Sequence, residues 1–272
     1  MHDSLVASKP GVIPARELWA RALSEWAIPA EILEQAQESP WIHPPQLFEV
    51  PENIEATISH TRALDAVPPF GSVLDVGCGG GVAAFALTPP AIHVMGVDEQ
   101  REMLQMFAGN ARARGVSYEV FKGLWPAISV TVPSADVVVS HHVVYNVSQI
   151  EPFLKELDLH ARKRVVIEMP VHHPLTNMTK AWKHFWNLDR PTSPTAEGLL
   201  HVLEEMGINA QHEYWSGQLR EGRDKERDSE YMRIRLCLPL ARLSEVRDFL
   251  DSNPLPDHRD LATIWWDSSA DS

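Results

Sequence analysis

Short apolar runs alternate with stretches of helical periodicity through the first two thirds of this 272-residue chain. Trp19, Ala22, Leu23 and Trp26 share one face of a helix that starts at Pro14 and is interrupted by Pro29, and a short second helix follows over 30–37. Ile54, Ile58, Thr61 and Leu64 line the inner side of a third, which ends before Pro68-Pro69. Residues 72–77 then read as a buried strand, 82–87 as a helix and 92–98 as a second strand. Met103, Leu104, Phe107, Ala108 and Ala111 form the stripe of the next helix, which Gly115 stops. Strand three is expected over 116–121 and strand four over 135–140, the latter almost wholly apolar, as a central parallel strand should be. Ile150, Phe153, Leu154 and Leu157 mark a further helix before strand five at 164–168. This alternation predicts an α/β domain with a parallel sheet, right-handed crossovers and ligand binding at the carboxyl ends of the strands.

The last third changes rhythm. Leu175, Met178, Trp182, Phe185 and Trp186 form a long aromatic stripe, and Ser193-Pro194 reads as the N-cap and first position of a helix running to Gly207. Strand six is expected over 208–215, a solvated hairpin loop over 220–230, and strand seven over 231–238, where polarity alternates. A helix over 243–250 precedes a tail carrying Trp265-Trp266, a pair that implies docking on something. The chain then divides into an N-terminal helical arm or lid (1–50, with Trp41 and His43 as its contact residues), a main domain (51–240, with a helical insertion about 172–207) and a C-terminal helical tail (241–272).

Composition narrows the class. Apolar residues at 44 % and charged residues at 22 % suit a globular protein, and no apolar run approaches the ~20 residues that span a bilayer. Met1-His2-Asp3-Ser4 does not begin a basic-then-apolar leader, and Cys78 and Cys237, the only cysteines, show no disulfide pattern; both point to a reducing cytoplasm. With 37 acidic against 24 basic residues, the formal charge of −13 repels a phosphate backbone at long range. The nine tryptophans have two readings: core packing and subunit contact, or an aromatic acceptor pocket.

The turn after strand one carries the chemistry. It reads Asp75-Val76-Gly77-Cys78-Gly79-Gly80-Gly81. Glycine permits a sharp bend and the close approach of a ligand, and the following helix offers free N–H groups. The nicotinamide spacing Gly-x-Gly-x-x-Gly fails at Val82. What stands there is Asp-x-Gly-x-Gly-x-Gly, and strand two, Val94-Met95-Gly96-Val97-Asp98, ends in an acid able to hold two ribose hydroxyls. With Met103-Leu104 in the next helix, these features resemble motif I and its surroundings in the class I S-adenosylmethionine-dependent methyltransferases, over roughly residues 70–170.

That resemblance implies a Rossmann-like class I methyltransferase fold: a seven-stranded, mostly parallel sheet with helices on both faces and an antiparallel last strand. It implies S-adenosyl-L-methionine as cofactor and S-adenosyl-L-homocysteine as product. Asp75 would organise the turn and the methionyl ammonium, while Gly77, Cys78, Gly79 and Gly81 would let the chain pass close to the cofactor. Asp98 would bind the ribose with Glu99 assisting, Gln100 would lie near adenine, and Met103 completes the set. The acid that many members carry after strand three is missing from Phe121-Lys122-Gly123-Leu124-Trp125-Pro126, leaving Leu124 and Trp125 for the adenine.

Ser140-His141-His142-Val143-Val144-Tyr145-Asn146, after strand four, falls where the family's active site opens. His141 is a candidate cofactor contact. His141, His142 and Tyr145 are the catalytic candidates, with histidine a base suited to neutral pH and a structural histidine as the competing reading. On an extended chain His141 and His142 point to opposite sides. The Asn-Pro-Pro-Tyr signature of nitrogen-methylating nucleic-acid enzymes is absent, and His141, His142, His172, His173 and His184 match no zinc spacing, so no metal is expected. The leading expectation is in-line methyl transfer to a small-molecule acceptor, in which the protein aligns the acceptor and excludes water. A macromolecular methyltransferase (ribosomal RNA or protein) and a non-catalytic cofactor-binding or scaffold protein are the alternatives. The partners expected are a small acceptor, no nucleic acid, no membrane, and a homodimer suggested by the aromatic helices.

Overall fold

A computed structural model describes residues 13–41, 48–218 and 224–268. The expected loose arm at 1–12, His43 of the lid and part of the expected loop at 220–230 lie outside these residues.

β1 (Ser72–Val76), β2 (His93–Asp98), β3 (Ser117–Lys122), β4 (Ala135–His141) and β5 (Ala161–Pro170) are parallel neighbours in the order β3-β2-β1-β4-β5. β6 (Gln211–Gln218) and β7 (His258–Asp267) extend the sheet to seven strands, with β7 between β5 and β6 and antiparallel to both. The strand order reverses between β1 and β4, and a ligand crevice belongs at that switch point, beyond the carboxyl ends.

Alternation along the strands sorts side chains onto two faces. Leu74, Val76, Met95, Val138, Val165 and Ile167 are buried with α1 (Ala15–Ser24), α6 (Ile150–His160) and α8 (Ala196–Glu205). Val73, Val94, Val137, Val139 and Val166 meet α3 (Ile58–Leu64), α4 (Val82–Phe85) and α5 (Arg101–Arg114). Gly115 closes α5 in the left-handed conformation, as its sequence position predicts. A third apolar cluster stands apart, built from α2 (Ala30–Leu33), α7 (Thr179–Trp186), α9 (Lys225–Arg235) and α10 (Leu243–Ser252). No helix among the described residues is long and apolar enough to cross a membrane.

Three sequence expectations are corrected here. The stretch read as a loop and then strand seven is α9, because Ser229, Met232, Arg233 and Leu236 are buried at helical spacing. Two of these are polar, so the stripe is not visible as an apolar face. Arg233 is satisfied in the interior by Glu230, Glu38 and the Leu238 carbonyl. The antiparallel strand is instead β7, inside the segment read as a helical tail. Trp265 joins one core face and Trp266 the other, where its Nε1–H donates to Asp158 at 2.8 Å, so the pair docks within its own sheet. Finally, the cap of α8 is Thr195, whose hydroxyl accepts the Gly198 N–H, two residues beyond the expected Ser193.

Candidate active site

Past Val76 the chain enters the glycine turn, and the N–H groups of Gly77 and Cys78 both donate to the Val97 carbonyl at 2.9 and 3.0 Å. The end of β1 is thereby tied to β2. Gly77, Gly79 and Gly81 have φ of 75°, 50° and 97°, the left-handed region where glycine is at home. Asp75 is buried beneath the turn and accepts the Ala84 N–H at 3.2 Å. Burial raises its pKa to about 7, against the pull of that N–H and with a smaller push from the Asp98 charge. Asp98 ends β2 and accepts one backbone N–H on each oxygen, from Gly79 at 3.1 Å and Gln100 at 2.9 Å. Each carboxylate oxygen keeps a further lone pair, so Asp98 has the capacity to accept two ribose hydroxyls. The donor set fits a nucleoside cofactor.

The turn is roofed by the chain itself. A Cβ placed on Gly80 would lie 2.0 Å from the Phe48 carbonyl oxygen, and one on Gly79 would lie 3.0 Å from the Phe48 ring. Asn110 of α5 donates to the Gly80 carbonyl at 3.0 Å, and Arg114 donates to that of Pro51 at 2.7 Å, so one helix fastens both turn and roof. Gly81 serves packing instead: a Cβ there would meet the Phe85 ring at 2.3 Å. Cys78 is buried against Gly96, and burial pushes its thiol pKa well up. Met103 is buried on α5, whereas Glu99 is exposed.

The carboxyl end of β4 gathers a polar cluster. His142 has φ of 61°, and its N–H donates to the Glu168 carbonyl at 2.8 Å. The left-handed step brings its Nε2 within 3.0 Å of a Glu168 side-chain oxygen. The other oxygen of Glu168 accepts the Thr57 hydroxyl at 3.1 Å. His141 pairs with Glu168 across the β4–β5 ladder and stacks on His60 at 5.5 Å. Both histidines therefore face one carboxylate, contrary to the expectation for an extended chain. Burial drives the His141 pKa down to about 3 and lowers that of His60. Burial acts to raise the Glu168 pKa, but the neighbouring histidines and their hydrogen bond hold its carboxyl below the usual carboxylate range. Tyr145 is turned away from this cluster: its ring lies edge-on to His173 at 5.8 Å, and burial raises its pKa. His173 in turn stacks on Trp26 at 4.1 Å. Among the described residues, no group of three or more His, Cys, Asp or Glu side chains is placed to hold a metal ion.

Residues 73–163 match a family described as a methyltransferase domain. Over these residues the chain carries a methyltransferase domain of the class I, S-adenosylmethionine-dependent kind. No curated protein matches the chain. Among solved structures, the YcgJ protein from Bacillus subtilis is 15 % identical with a TM-score of 0.53, over 77 % of this chain and 97 % of its own. TehB from Haemophilus influenzae is 14 % identical with a TM-score of 0.51, over 80 % of this chain and 64 % of its own. At such identities these similarities bear on the fold.

S-adenosylmethionine is the cofactor of this methyltransferase family; Asp75, the glycine turn and Asp98 lie together at one end of the sheet. The expected adenine pair does not stay together. Leu124 is at the surface, while Trp125 is in the core with its Nε1–H donating to the Phe153 carbonyl at 3.3 Å and its ring edge-on to His160 at 4.8 Å. Trp125 is thus a packing residue in this arrangement. Trp41, the expected lid contact, lines a cavity of about 10 Å³ with Trp26, Trp182 and Arg190 rather than meeting the turn. That volume holds about one water molecule, too little for an acceptor. Sequence reasoning missed Phe48 and Glu168. The available signal for Glu168 was an acid ending an apolar strand beside the strand that ends in two histidines.

Proposed function

We propose that this methyltransferase acts on a small-molecule acceptor, which enters between segments of its own chain. The observation that carries this reading is the roof: Phe48 lies on the glycine turn and buries Gly79 and Gly80. After β4, Tyr145 lies edge-on to His173, which stacks on Trp26. A site roofed by its own chain excludes water, as methyl transfer requires, and turns away a bulky acceptor. The formal charge of −13 adds repulsion toward RNA. In this reading Asp98 holds the ribose, Asp75 supports the turn beneath the methionyl end, and the residues after β4 face the acceptor. The two free cysteines, both buried, agree with a reducing compartment.

Tritium-labelled S-adenosylmethionine, incubated with the protein and a cell extract, tests the reading. The label is expected in the size-filtered small-molecule fraction. Label confined to RNA or protein overturns it, with titration of S-adenosylhomocysteine as the check that the protein is competent.

A further inference from the structure

His142 is a half-exposed histidine held in a conformation that side chains rarely adopt, with its Nε2 bound to a buried carboxylate. Its side chain is 42 % exposed and that of Glu168 is 7 %. A buried carboxylate is costly unless it is paired and hydrogen-bonded. Here one oxygen takes His142 and the other takes Thr57, whose own hydroxyl oxygen caps α3 by accepting the His60 N–H. The acceptor oxygen on Glu168 requires that Nε2 carry the proton, which leaves Nδ1 as a lone-pair acceptor. Nδ1 makes no hydrogen bond to any described residue. The next residue, Val143, packs on the cofactor turn: a Cβ on Gly77 would meet its Cγ2 at 2.4 Å. The imidazole is therefore set one residue from the donor seat. The other candidates are less suited. His141 Nε2 is buried without a partner, and the Tyr145 ring turns to His173.

Resting on the small-acceptor reading, we propose that His142 is the catalytic base, that Glu168 is its positioning residue, and that the acceptor is a hydroxyl compound. A neutral amine or thioether attacks with its own lone pair and needs no base; a hydroxyl must lose its proton. As the acceptor oxygen bonds to the methyl carbon, the carbon–sulfur bond breaks and its electron pair returns to sulfur. The hydroxyl proton passes to Nδ1, and Glu168 balances the imidazolium that forms. A strained backbone at such a position is the usual mark of a group held for function.

Two measurements test this, using the full chain. In long-range proton–nitrogen NMR of the labelled protein at pH above 7, His142 is expected as the Nε2–H tautomer, and Glu168→Leu, which removes the acceptor, lowers the share of that tautomer. An Nδ1–H tautomer in the wild type overturns the proposal without reference to any acceptor. In the tritium assay with the small-molecule fraction, His142→Gly is expected to fold, since φ of 61° suits glycine. It should lose about 100-fold or more in rate with the KM for S-adenosylmethionine unchanged, and added imidazole should restore about 10-fold. The label should sit in a base-stable ether. A rate within about fivefold of wild type, or label only in amine products, overturns it. A wild type that binds no S-adenosylhomocysteine fails the earlier reading instead, and the tautomer then decides the dyad by itself.

Discussion

Asp98 accepts the Gly79 N–H at 3.1 Å and so clamps the end of β2 to the turn after β1. The same carboxylate has lone pairs left for a ribose. Asp98→Ala should lower S-adenosylhomocysteine affinity by about 10- to 100-fold and cost about 1–3 kcal/mol of stability, as for a hydrogen bond to a charged group. Isothermal titration and urea unfolding read the two effects separately. Unchanged affinity would remove Asp98 from the ribose site.

Gly80→Ala probes the roof. The added methyl would stand 2.0 Å from the Phe48 carbonyl oxygen, a backbone atom that cannot swing aside. The segment beginning at Phe48 should lift, with about 1–3 kcal/mol lost and faster amide exchange over 48–51. Exchange mass spectrometry with an unchanged rate there would show that the roof is not held by this contact.

Acid stability follows from opposed groups. The His173 pKa is lowered to about 4, by burial first and then by Arg190, and that of His141 to about 3 by burial. Their folded values lie below the unfolded value of 6.5, so their contribution is whole above pH 6.5 and is lost as pH falls toward 4. Asp75 runs the other way: its folded value of about 7 is raised, so its contribution is present at low pH and lost as pH rises through 7. The two histidine shifts together exceed that of Asp75, and a net loss of about 2–4 kcal/mol is expected on acidification. Asp75→Asn should steepen this loss and His173→Gln should flatten it, both read as urea midpoints between pH 7.5 and 4.5.

Arg190 is 9 % exposed and donates to the carbonyls of Trp26 and Ala27, with its guanidinium 5.1 Å from the rings of both Trp26 and Trp182. Arg190→Met keeps the bulk but orphans two carbonyls. It should cost about 2–4 kcal/mol and expose the segment around Trp26 to limited proteolysis. Lysine should not rescue it, because a point charge cannot fork between two carbonyls.

The five parallel strands and the glycine turn were legible because their signals are local: apolar runs, clustered glycines and an acid at the end of β2. The rest failed where a signal was masked or lay far away in sequence. α9 buries Ser229 and Arg233, so its helical stripe has the polarity of an exposed strand. β7 carries paired tryptophans that belong to opposite faces of one sheet, which sequence spacing cannot tell from a docking tail. His142 escapes the expected alternation because its backbone turns left-handed, a property of its surroundings rather than of its residue type. Glu168 and Phe48 acquire meaning only from contacts made across the fold.

β7 lies between β5 and β6, so nothing before residue 258 can join those two strands. As the chain leaves the ribosome, β6 emerges with no place to pair, and the outer edge of β5 stays open until the latest-made of the seven strands arrives to fill the gap. Completion of the sheet therefore belongs to the time after synthesis of this region. Until then the nascent chain holds an unpaired β6 and the open outer edge of β5, the form in which it is most open to chaperones and to association with its own copies.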